Sequence, residues 1–191
     1  MAGGSGRILK VMGTLITDGL DSGDDQKVIS ILNKWKGGPL SDQLFTSLSK
    51  LTPQISAIIT VFRKRDNIVE TLLLPRPSDD PLWPNMLNLP GKMFRAMDFK
   101  RDDKNPVNGP LERIQKGELK VELNKLDIKF AGLAFQDTIR GPIMVLVHTY
   151  FVANDFKGNE DWIWREVSQL KDSKDMIPTE MDAIEVALKS I

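Results

Sequence analysis

Glu118 is the residue of this 191-residue chain whose type and position most need a chemical explanation. It lies in the segment from Pro110 to about Glu122, whose apolar spacing predicts a helix. On a 100° wheel Leu111, Ile114, Glu118, Val121 and Glu122 gather on one side, with Arg113, Lys116 and Lys120 on the other. Leu111, Ile114 and Val121 mark the buried face, so Glu118 sits among groups that leave water, and Glu122 follows one turn later. A carboxylate in such a place persists when it is paired, hydrogen-bonded or bound to a cation. The plainer reading puts Glu118 at the edge of the apolar stripe, reaching solvent or a lysine. Gly117, in mid-helix at a cost of about 1 kcal/mol against Ala, needs a packing or close-approach reason of its own.

Other chemistry is narrowed by composition. There is no cysteine, which removes thiolate nucleophiles and zinc sites of the cysteine type, and the one histidine, His148, removes multi-histidine metal sites. Any metal is then a hard cation held by carboxylates and carbonyls. His148 lies in the apolar run Ile143–Ala153 and reads as a core or edge histidine. Trp35 and Trp83 read as packing anchors, and Tyr150, Phe135 and Phe151 as core aromatics of strands. Basic and acidic residues number 26 each, so a long nucleic-acid partner, which would call for a basic excess, is disfavoured. Hydrophobic residues at 41% and charged residues at 27% describe an ordinary globular chain. The longest apolar runs, Ile55–Phe62 and Ile143–Val147, fall far short of the roughly 18 residues of a membrane span. The opening Met-Ala-Gly-Gly-Ser-Gly carries no secretory pattern, so the expected location is cytoplasmic.

The elements that must position these residues follow from the pattern. Residues 8–17 are apolar but fit neither period. A helix is expected after Asp24, with Val28, Ile31, Leu32 and Trp35 on one face and Gly37-Gly38 as its stop. A second is expected from Ser41, with Leu44, Phe45 and Leu48 aligned, ending before Pro53. These faces need covering, on the body of the protein or on a second subunit, which makes a homodimer an expectation. From Ser56 the period changes. Ala57–Arg63 and Asn67–Leu74 read as a hairpin turning at Lys64-Arg65-Asp66, and Leu87–Phe94 as a short strand broken by Pro90-Gly91. Residues 98–109 read as a charged loop, and Pro110 as the first residue of the helix that carries Glu118. Ile128–Phe135 and Ile143–Ala153 read as strands, the latter central, with a short strand at Trp162-Ile163-Trp164 and a closing helix over Met181–Ile191. Strands and helices mix without βαβ alternation, which predicts an α+β fold with a mixed sheet. Residues 1–53 would be a tail and helical extension, and 54–191 the main domain.

The order hairpin, Leu89-Pro90-Gly91, loop, helix ending Arg113-Ile114-Gln115-Lys116-Gly117-Glu118-Leu119 resembles a Nudix hydrolase domain, whose box reads G-x5-E-x7-R-E-U-x-E-E-x-G-U. Gly91 matches the first glycine, Arg113 the arginine and Glu118 the last glutamate. Trp162 resembles the tryptophan that opens the family's penultimate segment, with Glu160 and Asp161 just before it. The resemblance covers roughly Ser56 to Ile191 and implies an α/β/α sandwich. It also implies Mg²⁺ or Mn²⁺ held by Glu118 with help from Glu122 and Glu160 or Asp161. Arg113 and Glu118 would serve catalysis, and Arg76 and Gly91 would contact a nucleotide substrate or ligand.

The departures from the box bear on activity. Gly91 and Arg113 stand 22 positions apart, about eight more than the box spacing. Counting from Gly91 puts Met97 at the first glutamate position, with Asp98 beside it. Ile114 and Gly117 occupy two further glutamate positions. Two functions follow: a hydrolase that cleaves the pyrophosphate of a nucleoside diphosphate derivative with a divalent metal, or a catalytically silent Nudix fold that binds a nucleotide or a protein. The number of carboxylates that converge on Glu118 separates them.

Overall fold

The computed structural model describes residues 22–34, 41–49, 52–100, 105–139, 141–154, 156 and 158–191. The expectations for residues 8–17, Trp35 and Gly37-Gly38, and for the side chains of Leu32 and Phe45, lie outside what is described. Contacts divide the chain into two units, Met1–Ser41 and Asp42–Ile191. The first contains helix α1 (Ser22–Lys34), on which Val28 and Ile31 are exposed. The second holds everything else and begins with α2 (Asp42–Ser49), a helix that starts right after Ser41.

A single mixed sheet organises the second unit. Strands β1 (Gln54–Arg65) and β2 (Ile68–Pro75) form the expected hairpin, longer than the sequence pattern suggested. The turn sits one residue later than expected, at Asp66-Asn67, because these two residues carry the positive φ values of 50° and 66° that a tight two-residue turn requires. Then come β3 (Leu87–Asn88), β4 (Gly91–Met93), β5 (Lys129–Thr138), β6 (Gly141–Phe151) and β7 (Ile163–Glu166). The main path runs β3-β2-β1-β6-β5, with β4 also on β1 and β7 also on β2. The β1–β6 pair is parallel and the others are antiparallel. The apolar run of β6 is thus interior to the sheet, as its composition required.

One edge of β1 serves two partners. Its C-terminal part pairs with β2 from Phe62 onward, while Ser56–Ile58 pair with β4. Between them the Ile59 N–H donates to the carbonyl of Pro90 at 3.0 Å. This split brings Leu89-Pro90-Gly91 onto the middle of the sheet. A Cβ on Gly91 would stand 2.9 Å from Ile58 Cγ1 and 3.4 Å from the Ala57 carbonyl oxygen, so a side chain there would have to push the Ile58 side chain aside.

Each sheet face has its own core. On one, Phe62, Leu73, Val145 and Val147 pack with Ala183, Ile184 and Ala187 of the last helix, α4 (Glu180–Leu188). On the other, Ala57, Ile59, Val61 and Leu72 pack with Ile114, Leu119 and Leu123. Those last residues belong to α3 (Asn108–Ile114) and the turn after it. The helix is shorter than its wheel predicted: it starts two residues before Pro110, widens into a π-turn over Gln115–Leu119 and stops at Lys120, whose φ is 55°. Gln115 explains the stop. Its buried side-chain Oε1 accepts the Leu123 N–H at 2.7 Å and its carbonyl accepts the Val121 N–H at 3.2 Å, which folds the chain back and satisfies groups a longer helix would have used.

Candidate ligand site

The site is built on the junction of β4 and α3. Arg113, at the end of α3, holds Asp98 with two parallel hydrogen bonds, Nη1 to Oδ1 at 2.7 Å and Nη2 to Oδ2 at 2.9 Å, and Nη2 also donates to the Met93 carbonyl. The Asp98 side chain is almost fully buried and its Oδ2 accepts the Arg95 N–H as well, so this planar pair clamps the loop onto the helix. The loop therefore turns through a short 3₁₀ helix (Ala96–Phe99) that points Asp98, not Met97, at the box arginine. Gly109 makes room for it: a Cβ there would lie 2.2 Å from Asp98 Oδ1.

Glu118 is held just as firmly. Its Oε2 accepts the Gly91 N–H at 2.7 Å and its Oε1 pairs with Lys92 Nζ at 2.6 Å. Glu118 is half-buried and reaches a lysine, as the plainer of the two sequence readings has it. Near Glu118 lies Glu180, the first residue of α4, buried with Oε2 lacking a hydrogen-bond partner among the described residues. Burial pushes the Glu180 pKa up to about 8 against the pull of the Leu89 N–H and Arg76, with the charges of Glu118 and Asp182 adding to the rise. At pH 7 it is a neutral acid. Arg76 is itself engaged: its Nε and Nη2 hold Asp80, and its guanidinium lies 5.9 Å from the Trp83 ring centre. Burial opposes ionisation of Asp80, but Arg76 and the N–H groups of Trp83 and Leu82 outweigh it and hold its pKa at about 2.

Lys92 also lines a pocket shared with Arg95, Arg113, Lys116 and Gly117 together with Asp98 and Glu112. Its cations outnumber its carboxylates. Among the described residues neither Arg95 nor Lys116 is held in an ion pair. Gly117 has nothing within 4 Å of where a Cβ would stand, so its lack of a side chain answers no steric demand. Ile114 is completely buried in the second core, a packing residue where the box would carry a carboxylate.

The remaining sequence candidates stand elsewhere. Glu122 is exposed beside Lys120 and Lys125. Glu160 is exposed on the loop before β7, and its neighbour Asp161 pairs with Lys120 at 3.1 Å on the surface. Among the described residues no group of three or more His, Cys, Asp or Glu is placed to hold a metal ion. Glu118, with Lys92 on one oxygen and a backbone N–H on the other, does not fit a Mg²⁺ or Mn²⁺ ligand set, which wants several free oxygens around the ion. Trp162 is buried in the second core, stacked on Phe156 at 5.7 Å.

Solved structures share this fold. The Nudix domain of Shewanella oneidensis NrtR, complexed with ADP ribose, superposes with a TM-score of 0.55 at 14% identity, over 78% of this chain and 98% of that one. The C-terminal domain of mouse MUTYH, complexed with human PCNA, gives 0.54 at 12% identity over 72% and 89%. The MutT protein of Methanosarcina mazei Go1 gives 0.52 at 16% identity over 72% and 95%. The chain has the Nudix fold. At these identities the likeness speaks for the fold alone. No protein-family model matches the chain, and no curated protein matches it in sequence.

On the Nudix fold the landmarks fall into place. Lys120 occupies the position of the box's second glycine, and its φ of 55° is the left-handed conformation that glycine would adopt there. Asp98 was legible only as the neighbour of the motif's first glutamate position, and Glu180 not at all. The 3₁₀ turn is what aims Asp98 at Arg113. Glu180 gave no signal beyond being an acidic residue at a helix start, where acids are ordinary because of the helix dipole.

Proposed function

We propose that this protein is a Nudix-fold binding module that takes the phosphate groups of a nucleotide directly on its own cations and does not hydrolyse it. The observation that carries the reading is the charge of the pocket: Arg95 and Lys116, in no ion pair among the described residues, line it beside the helix that would carry the box glutamates. In a Nudix hydrolase a divalent metal would neutralise the pyrophosphate and activate water. Here the same negative charge would meet ammonium and guanidinium groups. Arg95, with its planar fork, would take a phosphate in bidentate fashion, and Lys116 would act as a point charge. The NrtR Nudix domain complexed with ADP ribose supports a pyrophosphate-containing ligand, because it shares the fold over most of the chain.

The residues contribute binding and orientation. Glu118 keeps Lys92 and Gly91 in register, and Arg113 with Asp98 fixes the loop that presents Arg95. The test is calorimetric titration of ADP and ADP ribose in EDTA and in millimolar Mn²⁺, beside phosphate release from a panel of nucleoside diphosphate derivatives. Binding should persist in EDTA, weaken on Lys116→Glu, and be accompanied by no release above background. Mn²⁺-dependent turnover that disappears in Glu118→Gln would sink the proposal in favour of the hydrolase.

A further inference from the structure

The two faces of the sheet are covered unequally at β5. On the α4 face this strand contributes Ala131 and Ala134 to the core, and the Gln136 side-chain amide donates to the Thr179 carbonyl at 2.5 Å. On the α3 face no residue of β5 belongs to the core among the described residues. Alternation puts Leu133 and Phe135 there, opposite Leu146 and Met144 of β6, which are themselves half-buried. Leu133 is 45% exposed and Phe135 72%, although the sequence pattern reads Phe135 as core. Phe130 and Ile139, near the two ends of the strand, are exposed too. The same strand has an open edge. It bonds to β6 on one side and, among the described residues, to no strand on the other. Such an edge presents a row of unpaired N–H and C=O groups, which proteins ordinarily protect with a proline, a charge or a short strand. β5 has 10 residues, no proline and no charge between Lys129 and Asp137. Past the bulge between Phe130 and Gly132, Gly132 to Thr138 keep one unbroken register with β6.

We propose that this edge pairs antiparallel with the same edge of a second copy of this chain, joining the two sheets into one across a two-fold axis near Ala134. A strand edge can meet itself in this way without any second surface, which is the isologous arrangement of closed dimers. With the axis there, Leu133 of each copy stands opposite Phe135 of the other, so both apolar pairs flank the axis on the uncovered face. The charges select the occupant. Lys129 at one end of the strand and Asp137 near the other are both exposed. Antiparallel self-pairing sets the Lys129 end of each copy beside the Asp137 end of its mate, so opposite charges meet at both ends. A parallel mate would align like with like. The cationic pocket is built on β4, which β1 and β6 separate from β5, so the inference goes beyond the proposed function and does not depend on it.

The test is sedimentation equilibrium of the full chain over a range of concentrations, beside hydrogen exchange of the β5 amides. Wild type should form a dimer, and exchange across residues 132–138 should slow as the dimer fills. Phe135→Lys removes the exposed aromatic without touching the core and should raise the dimer dissociation constant about tenfold or more. Lys129→Asp should weaken the dimer, and so should Asp137→Lys, while the chain carrying both should regain it. That rescue needs no change in the core, so it separates pairing at this edge from a general loss of stability. Ile31→Lys, on the exposed face of α1, should leave the dimer intact. A wild type that stays monomeric, a dimer that Phe135→Lys leaves unaltered, one that Ile31→Lys abolishes, or a charge exchange without rescue would each overturn the proposal.

Discussion

Arg113 and Asp98 act as one unit, and their separation in sequence hides it. The Asp98 carboxylate is buried and Arg113 covers most of its own charge with the same contact, so removing one partner leaves the other without compensation. Asp98→Ala should therefore cost about 3 kcal/mol or more of stability, read by chemical denaturation, whereas Asp98→Glu should recover part of it. Glu180 gives a prediction of pH dependence. Its folded pKa of about 8 lies above its ordinary value of 4.5, so the folded state binds the proton more tightly than the unfolded chain. Its contribution is fully present below about pH 4.5, declines as pH rises toward 8, and is flat above that. Glu180→Gln, which keeps the neutral shape, should remove this decline and stabilise the protein at pH 8 by on the order of a few kcal/mol. Equal slopes for both proteins between pH 5 and 8 would mean that Glu180 ionises freely in the fold.

At the scale of elements, the α3 region shows how a helix is ended by its neighbours. The wheel of residues 110–122 is continuous, yet the chain leaves α-geometry at Gln115 because a buried amide offers the Leu123 N–H a better partner than water. Gly117 sits in this turn without a positive φ and with nothing near its missing Cβ. Gly117→Ala should accordingly raise stability by about 0.5–1 kcal/mol through lower unfolded-state entropy, visible as a higher melting temperature. A fall would show that the pocket needs the bare backbone at that position.

The whole molecule carries 26 basic and 26 acidic residues, so no net field steers an anion toward it and the attraction must come from local charges at the mouth of the pocket. Exposed charges of this kind are screened within about 10 Å at 0.1 M salt. The increase in melting temperature produced by saturating pyrophosphate should hence shrink markedly when ionic strength is raised tenfold, and should be the same with Mn²⁺ or EDTA present. A salt-independent shift would point to contacts other than the Lys92, Arg95 and Lys116 cations.

The hydrophobic period by itself determined that the sheet is mixed, that β6 is interior, and that α3 and α4 cover opposite faces, because alternation and helical spacing are local consequences of which side chains must leave water. The motif letters placed Gly91, Arg113 and Glu118 at one junction, and they meet there. Only the tertiary structure decided what that junction is for. Whether Glu118 is available to a metal depends on Lys92, 26 positions away in the chain, and Glu180 comes near Glu118 from the last helix. Burial, pairing and the sign of a pocket's charge are sums over residues brought together from distant parts of the chain, and no spacing along the sequence contains them.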